Sequence, residues 1–282
     1  MAGVARRSEH GRGPIDVHAT LAWLGQRTVR GLDAWDGSTY TRTTRLAGEI
    51  GSVTLVATGS DSVEITAWSA PALQEAVPLV RFLLGLDDDP QPWLELLSED
   101  PLLAPRVVAS PGLRMPGSWD PWEMCARAVL GQLVSVAAAR TLVARLAERH
   151  GTTLPDGRVA FPPAATVAAG DLDGLGLPAA RRDALRLLAE TVATGAIDLT
   201  PGANPEAAHA GLIALRGIGP WTAMYIRMRA LRDADAFPAG DLGVKVALAA
   251  SDGRRPTERE ARQRAAAWSP YRGVATMYLW SA

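Results

Sequence analysis

The sequence predicts a mixed α/β N-terminal domain on an all-α body, and three observations predict it. Two β-rich runs, VTLVA and VEITAW, flank the turn residues TGSDS between Ser52 and Ser69, which predicts a hairpin. Beyond about residue 88, apolar residues recur at helical spacing between capping residues, with no strand alternation and no repeat of fixed period. Two apolar helical segments meet at a Gly-Ile-Gly turn over residues 217–219.

Composition bounds the rest. The chain has 282 residues, which at roughly one domain per 100–200 residues means two domains or three small ones. Apolar residues make up 48% and charged residues 21%, enough for a globular core and unlike disordered, collagenous or disulfide-scaffold chains. The single cysteine, Cys125, cannot form an internal disulfide, a cysteine-rich zinc site or a four-thiolate iron–sulfur cluster, and is expected in the core. His10, His18, His150 and His209 fit no metal-ligand spacing. No apolar run approaches the roughly 18 residues that cross a bilayer. MAGVARRSEHGRG lacks the apolar stretch of a secretory signal, so the expected location is cytoplasmic, without a membrane partner. Twenty-nine basic side chains against 30 acidic ones leave a net charge of −1. A nucleic-acid partner would therefore have to be argued from a local site. Lys245 is the only lysine.

The elements follow in order. Residues 1–14 read as a flexible tail, 15–88 as the N-terminal domain and 89–282 as the helical region. Val17, Leu21, Leu24 and Val29 keep helix-like spacing, and after the hairpin Pro71 can open a helix that DDDPQP ends near residue 86. Asp120-Pro121-Trp122-Glu123 has a capping residue, a proline at the first helical position and an acid three residues after the cap. That helix runs toward Gly131, and a second runs from near Ser135 to Gly151. LPAARRDALRLLAETVAT forms another, stopping at Gly195. Thr257 and Glu260 make a further capping box, and Pro270 starts a last helix that carries Trp280.

GLIALRGIGPWTAMYIRMRAL, residues 211–231, carries the most information. Leu212 and Leu215 end one helix, Gly217-Ile218-Gly219 turns the chain, and Pro220 opens the next, a helix–hairpin–helix. Two glycines let a partner approach the backbone, and the free N–H groups of the following helix can bind a phosphate without a side-chain cation. An ordinary αα turn with glycine for close packing explains the same residues. Some twenty residues on, PAGDLGVKVAL places Asp241 after a Pro-Ala-Gly loop at a helix start. Alone, it reads as a simple helix N-cap, with an i,i+4 pair to Lys245.

Together, the hairpin and the glycine/proline-rich loop with its aspartate resemble the helix–hairpin–helix superfamily of DNA glycosylases. RAVLGQLVSVAAARTLVARLAERHG, PGLRMPG, LRGIGPWTAMYIRMRAL, DAFPAGDLGVK and SPYRGVATMYLW resemble the bacterial inducible 3-methyladenine DNA glycosylase II family, in the same order. The resemblance runs from about residue 15 to the end. It implies an α+β N-terminal domain, a small antiparallel sheet with helices, then a mostly α-helical glycosylase body of two subdomains with the active site in the cleft between them. The implied activity is hydrolysis of the N-glycosidic bond of alkylated bases, of the 3-methyladenine and 7-methylguanine type, in double-stranded DNA.

The resemblance assigns roles residue by residue. Asp241 matches the catalytic aspartate; one preorganised carboxylate stabilises the positive charge that grows on the deoxyribose, and can position the attacking water. Asp233 and Asp235 are expected as solvated loop residues. Trp221 and Tyr225, four apart on one helix face, and Trp280 would hold the flipped base by stacking, where indoles favour a cationic base. Trp23 stands where the family commonly has a smaller aromatic and would narrow the pocket. Core packing explains any one of these tryptophans as well. Leu133 in Gln132-Leu133-Val134 matches the residue wedged into the minor groove, although a leucine in an apolar run reads as a core residue as well. Gln132, Gly217, Gly219 and Thr222 complete the implied DNA contacts. The backbone carbonyls of Ile213, Leu215 and Ile218 would hold a monovalent cation, sodium or potassium, that bridges to a phosphate; no other cofactor is implied. Related enzymes that also cut the strand use a lysine where this chain has Trp221, so base excision without strand cleavage is expected. Lys245 is then a partner for Asp241 or for phosphate. A methyl-transferring region with cysteine zinc ligands, sometimes fused to the family, has no counterpart in these residues. A monomer without an obligate protein partner is expected. The competing readings are a glycosylase for deaminated or neutral bases and a non-catalytic helix–hairpin–helix DNA-binding protein.

Overall fold

A computed structural model describes residues 3–249 and 253–281. The N-terminal domain is built on a five-stranded antiparallel sheet of order β1-β5-β4-β3-β2. Its elements are β1 (Ala5–His10), α1 (Val17–Gly25), β2 (Asp33–Trp35), β3 (Thr39–Leu46), β4 (Glu49–Ala57), β5 (Ser62–Ala67) and α2 (Ala70–Leu84). The hairpin expected between Ser52 and Ser69 is β4–β5, with Leu55 opposite Ile65. Val53, Leu55, Val63 and Ile65 alternate onto the face that α1 and α2 cover, so the apolar period of two fixes the register. Asp16 caps α1 through the Ala19 N–H at 2.8 Å, and Ser69 caps α2.

Two features of this domain differ from the sequence expectation. Residues 5–10, read as part of a flexible tail, form the edge strand β1, pairing with β5. ARRSEH shows no apolar alternation because its buried inward residue is Glu9, whose charge is met by Arg7 and Arg81. The β3–β4 hairpin was not expected either, since its two-residue turn, Ala47-Gly48, lacks Asn or Asp. Both residues nevertheless sit at positive φ, 50° and 78°, as a primed turn requires.

The helical body comprises α3 (Gln91–Ser98), α4 (Ala104–Ala109), α5 (Pro121–Leu130), α6 (Val136–His150), the short β6 (Thr152–Thr153) and β7 (Val159–Ala160), α7 (Ala164–Ala169) and α8 (Ala179–Ala193). It continues with α9 (Pro205–Ala214), α10 (Pro220–Ala230), α11 (Leu242–Ala247), α12 (Glu258–Ala265) and α13 (Arg272–Trp280). The β6–β7 ribbon, unexpected in an all-α body, is held because the Val159 N–H donates to the Gly31 carbonyl at 2.8 Å, joining body to N-terminal domain. The Thr257–Glu260 capping box forms, and Cys125 is fully buried.

Among the described residues the body has two large apolar cores. One gathers residues from α5 to α10, with Val29 and Leu32 from the N-terminal domain. The other joins α3 and α4 to α11, α12 and α13 around Trp268, whose indole donates to Asp100 at 2.7 Å. The first core ends with α10, the C-terminal part of the second begins with α11, and the segment between these two helices carries Asp241. Among the described residues no helix is long and apolar enough to cross a membrane.

A buried charge network pins the sheet to this body. Arg42 on β3 and Arg127 on α5 both bind Glu123 and Asp33, and the Tyr40 hydroxyl donates to Asp33 at 2.9 Å. Two cations and two carboxylates cancel, which makes their burial tolerable. Asp120 caps α5 as expected, accepting from the Trp122 N–H at 2.8 Å. The acid of the expected capping box, Glu123, turns inward to the arginines instead.

Candidate active site

Residues 215–219 make the hairpin turn between α9 and α10. The Ile218 N–H donates to the Leu215 carbonyl at 3.1 Å, and the Ile218 side chain is buried, which locks the turn. The two glycines do different work. Gly217 has φ +89°, and a Cβ there would lie 2.5 Å from Cβ of Ala184 on α8, so backbone conformation and packing both demand glycine. Gly219, the N-cap of α10, has φ −85° and nothing within 4 Å of a Cβ. Neither conformation nor packing explains that glycine; open space in front of the free N–H groups of α10 does.

Asp241 is the N-cap of α11, accepting from the Val244 N–H at 3.1 Å through Oδ1. It is more than a cap. Trp221 on α10 donates its indole N–H to Oδ2 at 3.0 Å, and Trp280 on α13 donates its own to Oδ1 at 2.9 Å. Trp221 and Tyr225 stack, with centroids 5.1 Å apart and planes 12° from parallel, and Tyr225 lies 6.3 Å from Trp280. The three aromatics expected around Asp241 are thus brought together with it, from both cores of the body. A Cβ on Gly243 would sit 2.9 Å from the Trp280 ring, so this glycine makes room for the indole.

Trp23, near the end of α1, packs with Trp280 and Met224 on the cluster of Met115, Met228 and Met277. Arg27 and Arg229 lie against its ring, with guanidinium carbons 3.6 and 4.5 Å from the centroid.

The loop between α5 and α6 presents Leu133 with 98% of its surface exposed and at φ +55°. Left-handed backbone costs a leucine roughly 1–2 kcal/mol, and leaving the side chain in water forgoes about 1.5–3 kcal/mol of burial. Neither cost serves the fold. Val136 beside it is 61% exposed. Gln132 ties this loop to the hairpin, its side-chain amide donating to the Gly217 carbonyl at 3.1 Å and to Thr222 Oγ1 at 2.9 Å.

Some expected placements are corrected. Thr222, assigned to DNA contact, is buried and accepts from Gln132. One residue on from Trp221 turns the helix by about 100°, so Thr222 braces the loop from within. Lys245 makes no ion pair with Asp241, whose acceptors are turned to the two indoles and the cap. Asp233 and Asp235 are not solvated: Asp233 pairs with Arg227, and Asp235 with Arg272 at 2.6 Å, bracing the loop that leads to Asp241. Burial would raise the Asp235 pKa, but Arg272 and Ser269 outweigh it and the net direction is down.

Sequence reasoning passed over Arg27, Arg229 and Gly243. The arginines had a signal: Arg229 extends the Trp221, Tyr225 series by another four residues, and Arg27 stands four after Trp23, the spacing that places side chains on one helical face.

Residues 10–120 match the family model of the AlkA N-terminal domain. The chain is 36% identical over 277 residues to the "Probable bifunctional transcriptional activator/DNA repair enzyme AlkA" of Mycobacterium tuberculosis, with 96% of this chain and 55% of that one aligned. It therefore spans about half the length of that relative. To DNA-3-methyladenine glycosylase 2 of Escherichia coli it is 32% identical over 275 residues, covering 95% of this chain and 94% of the relative. In fold it is similar to the solved 3-methyladenine DNA-glycosylase from Archaeoglobus fulgidus, with a TM-score of 0.85 over 98% of this chain and 97% of that one at 20% identity. On the 32% alignment with the Escherichia coli relative, along nearly the whole of both chains, the chain belongs to the AlkA-type family of DNA-3-methyladenine glycosylases.

Proposed function

We propose that the protein is a base-excision enzyme that flips alkylated bases out of double-stranded DNA and hydrolyses the N-glycosidic bond, leaving an abasic site. The observation that carries this reading is the Asp241 carboxylate, fixed by the indole N–H groups of Trp221 and Trp280 beside Tyr225 and Trp23. Three N–H donors fill three of roughly four acceptor sites of a carboxylate, and the remaining site on Oδ2 receives the attacking water. Bond breaking puts positive charge on the deoxyribose, which the fixed carboxylate stabilises without reorganising. A cationic base departs neutral, so no second acid is needed. The aromatic rings hold the flipped base by stacking.

DNA is gripped at two places. The N–H groups of α10 behind Gly219 take a phosphate, and exposed Leu133 enters the gap left by the flipped nucleotide. Lys245 supplies a further phosphate contact. The hairpin carbonyls suit a sodium or potassium ion. Among the described residues no backbone N–H bonds to the carbonyls of Ile213 or Ile218, and that of Leu215 accepts one from Ile218. Neutral oxygens alone match a monovalent cation, which would supply positive charge at the phosphate. Trp221 carries no amine to form a Schiff base, so the strand is left uncut. The protein acts as a cytoplasmic monomer at the nucleoid, with no obligate protein partner.

The test is free-base release from methylated duplex DNA, followed by alkali. Methylpurine release with strand breaks only after alkali is the expected result. Tight, salt-sensitive binding without base release would instead favour a non-catalytic DNA-binding protein.

A further inference from the structure

Helix α11 carries apolar residues on two opposite sides. Val244 is fully buried in the core around Trp268, and Ala247 and Leu248 pack against that core. Leu242 and Val246 stand two residues either side of Val244, so each lies about 160° around the helix from it. They are 62% and 50% exposed. A surface helix ordinarily turns polar residues to water, and one that is apolar all round is covered. Lys245, on the flank of this outer side, is the only lysine of the chain, and among the described residues its ammonium has no ion pair or hydrogen bond. Asp241 is the N-cap of the helix, so the outer side begins at the residue after the carboxylate.

From this placement we infer that the outer side of α11 seats the sugar–phosphate backbone of the damaged strand next to the flipped nucleotide, with Lys245 on a phosphate and Leu242 and Val246 against deoxyribose. The inference rests on the base-excision reading and deepens it by naming the surface that holds the strand. Position and chemistry choose this occupant. The carboxylate of Asp241 has to meet the sugar of the flipped nucleotide, and the strand that continues from that sugar then runs beside residue 242. A DNA strand alternates anionic phosphates with the apolar C–H faces of its sugars, which matches one cation beside two apolar side chains. Leu242 and Val246 are about 6 Å apart along the helix axis, within the length of one nucleotide. A protein seated on the same side would keep the duplex away from Asp241. The two kinds of contact differ in their response to salt, because only the lysine displaces counterions from the phosphates.

The test is a titration of the full chain with duplex DNA carrying one tetrahydrofuran abasic site, which has no base to release, at several salt concentrations. Leu242→Ala and Val246→Ala should each weaken binding about threefold to tenfold, with an unchanged slope of log K against log salt. Lys245→Gln should make that slope shallower by about 0.9, and Lys245→Arg should restore it. Both apolar side chains face water, so the alanine variants should melt like wild type. Alanine variants that bind like wild type, or a slope unmoved by Lys245→Gln, would overturn the assignment. So would a marked loss of stability in Leu242→Ala, which would mean that the fold covers this side. Base release from methylated duplex is measured alongside. Binding with the expected sensitivities but no release by the wild type would leave the surface standing and overturn the base-excision reading instead.

Discussion

Trp280 donates its indole N–H to Asp241 at 2.9 Å across 39 residues of sequence. The bond links the C-terminal helix to the N-cap of α11, so the carboxylate is oriented by tertiary structure as well as by its own helix. A hydrogen bond to a charged group contributes about 1.5–3 kcal/mol. Trp280→Phe keeps an aromatic face but removes the donor and part of the ring. It should slow single-turnover base release by about tenfold to a hundredfold and lower the melting temperature by several degrees. Gly243→Ala, which pushes on the same indole, should slow release in the same direction.

Leu133 is expected to trade stability for function. Leu133→Gly relieves the left-handed backbone and should raise unfolding free energy by about 1 kcal/mol. It should also weaken binding to duplex DNA and slow base release. Urea unfolding and a binding titration on the same preparation check both halves; lower stability with intact activity would mean the exposed side chain serves the fold.

The two hairpin glycines should separate in the same way. Gly217→Ala meets both an unfavourable φ and Ala184, and should lower stability by about 2 kcal/mol or more. Gly219→Ala meets neither and should melt like wild type, yet bind duplex DNA more weakly because its methyl group stands where a phosphate must approach. Thermal melting beside a DNA titration at fixed salt distinguishes the two.

Glu123 makes stability depend on pH. Burial would raise its pKa, but Arg42 and Arg127 outweigh burial and pull it down to about 2. The folded protein therefore holds this proton more weakly than the unfolded chain, whose glutamates titrate near 4.3. The resulting stabilisation, about 3 kcal/mol, is complete above that value and is lost as pH falls toward 2. Glu123→Gln should cost a similar amount at pH 7, about 3–5 kcal/mol, and should flatten the wild-type decline between pH 5 and 3. Parallel denaturant series at several pH values give the difference; equal slopes would refute the network's role.

What the sequence made legible was local. The stacking of Trp221 on Tyr225 follows from i,i+4 spacing, Asp241 as a cap follows from its place after Pro-Ala-Gly, and Gly217 follows from the turn. Contacts made by tertiary packing were not readable from spacing. Nothing in the neighbourhood of Lys245 shows that Asp241 turns from it to two indoles contributed by other helices. Glu9 disguised an edge strand because its inward position is charged, and Glu123 looked like a capping acid until Arg42 arrived from the sheet. The resemblance supplied roles for Trp280 and Leu133, but the strain and exposure of Leu133 came only with the fold.

Asp241→Asn tests the central claim most directly. Asparagine still accepts through one oxygen and can cap α11, so the fold and DNA binding should survive, while the negative charge that stabilises the sugar cation is gone. The measurement is single-turnover release of methylated base from duplex DNA by wild type and variant, with binding to the same duplex as control. The account predicts a fall of about a hundredfold or more at undiminished binding. Wild-type release rates from a folded Asp241→Asn variant would contradict it.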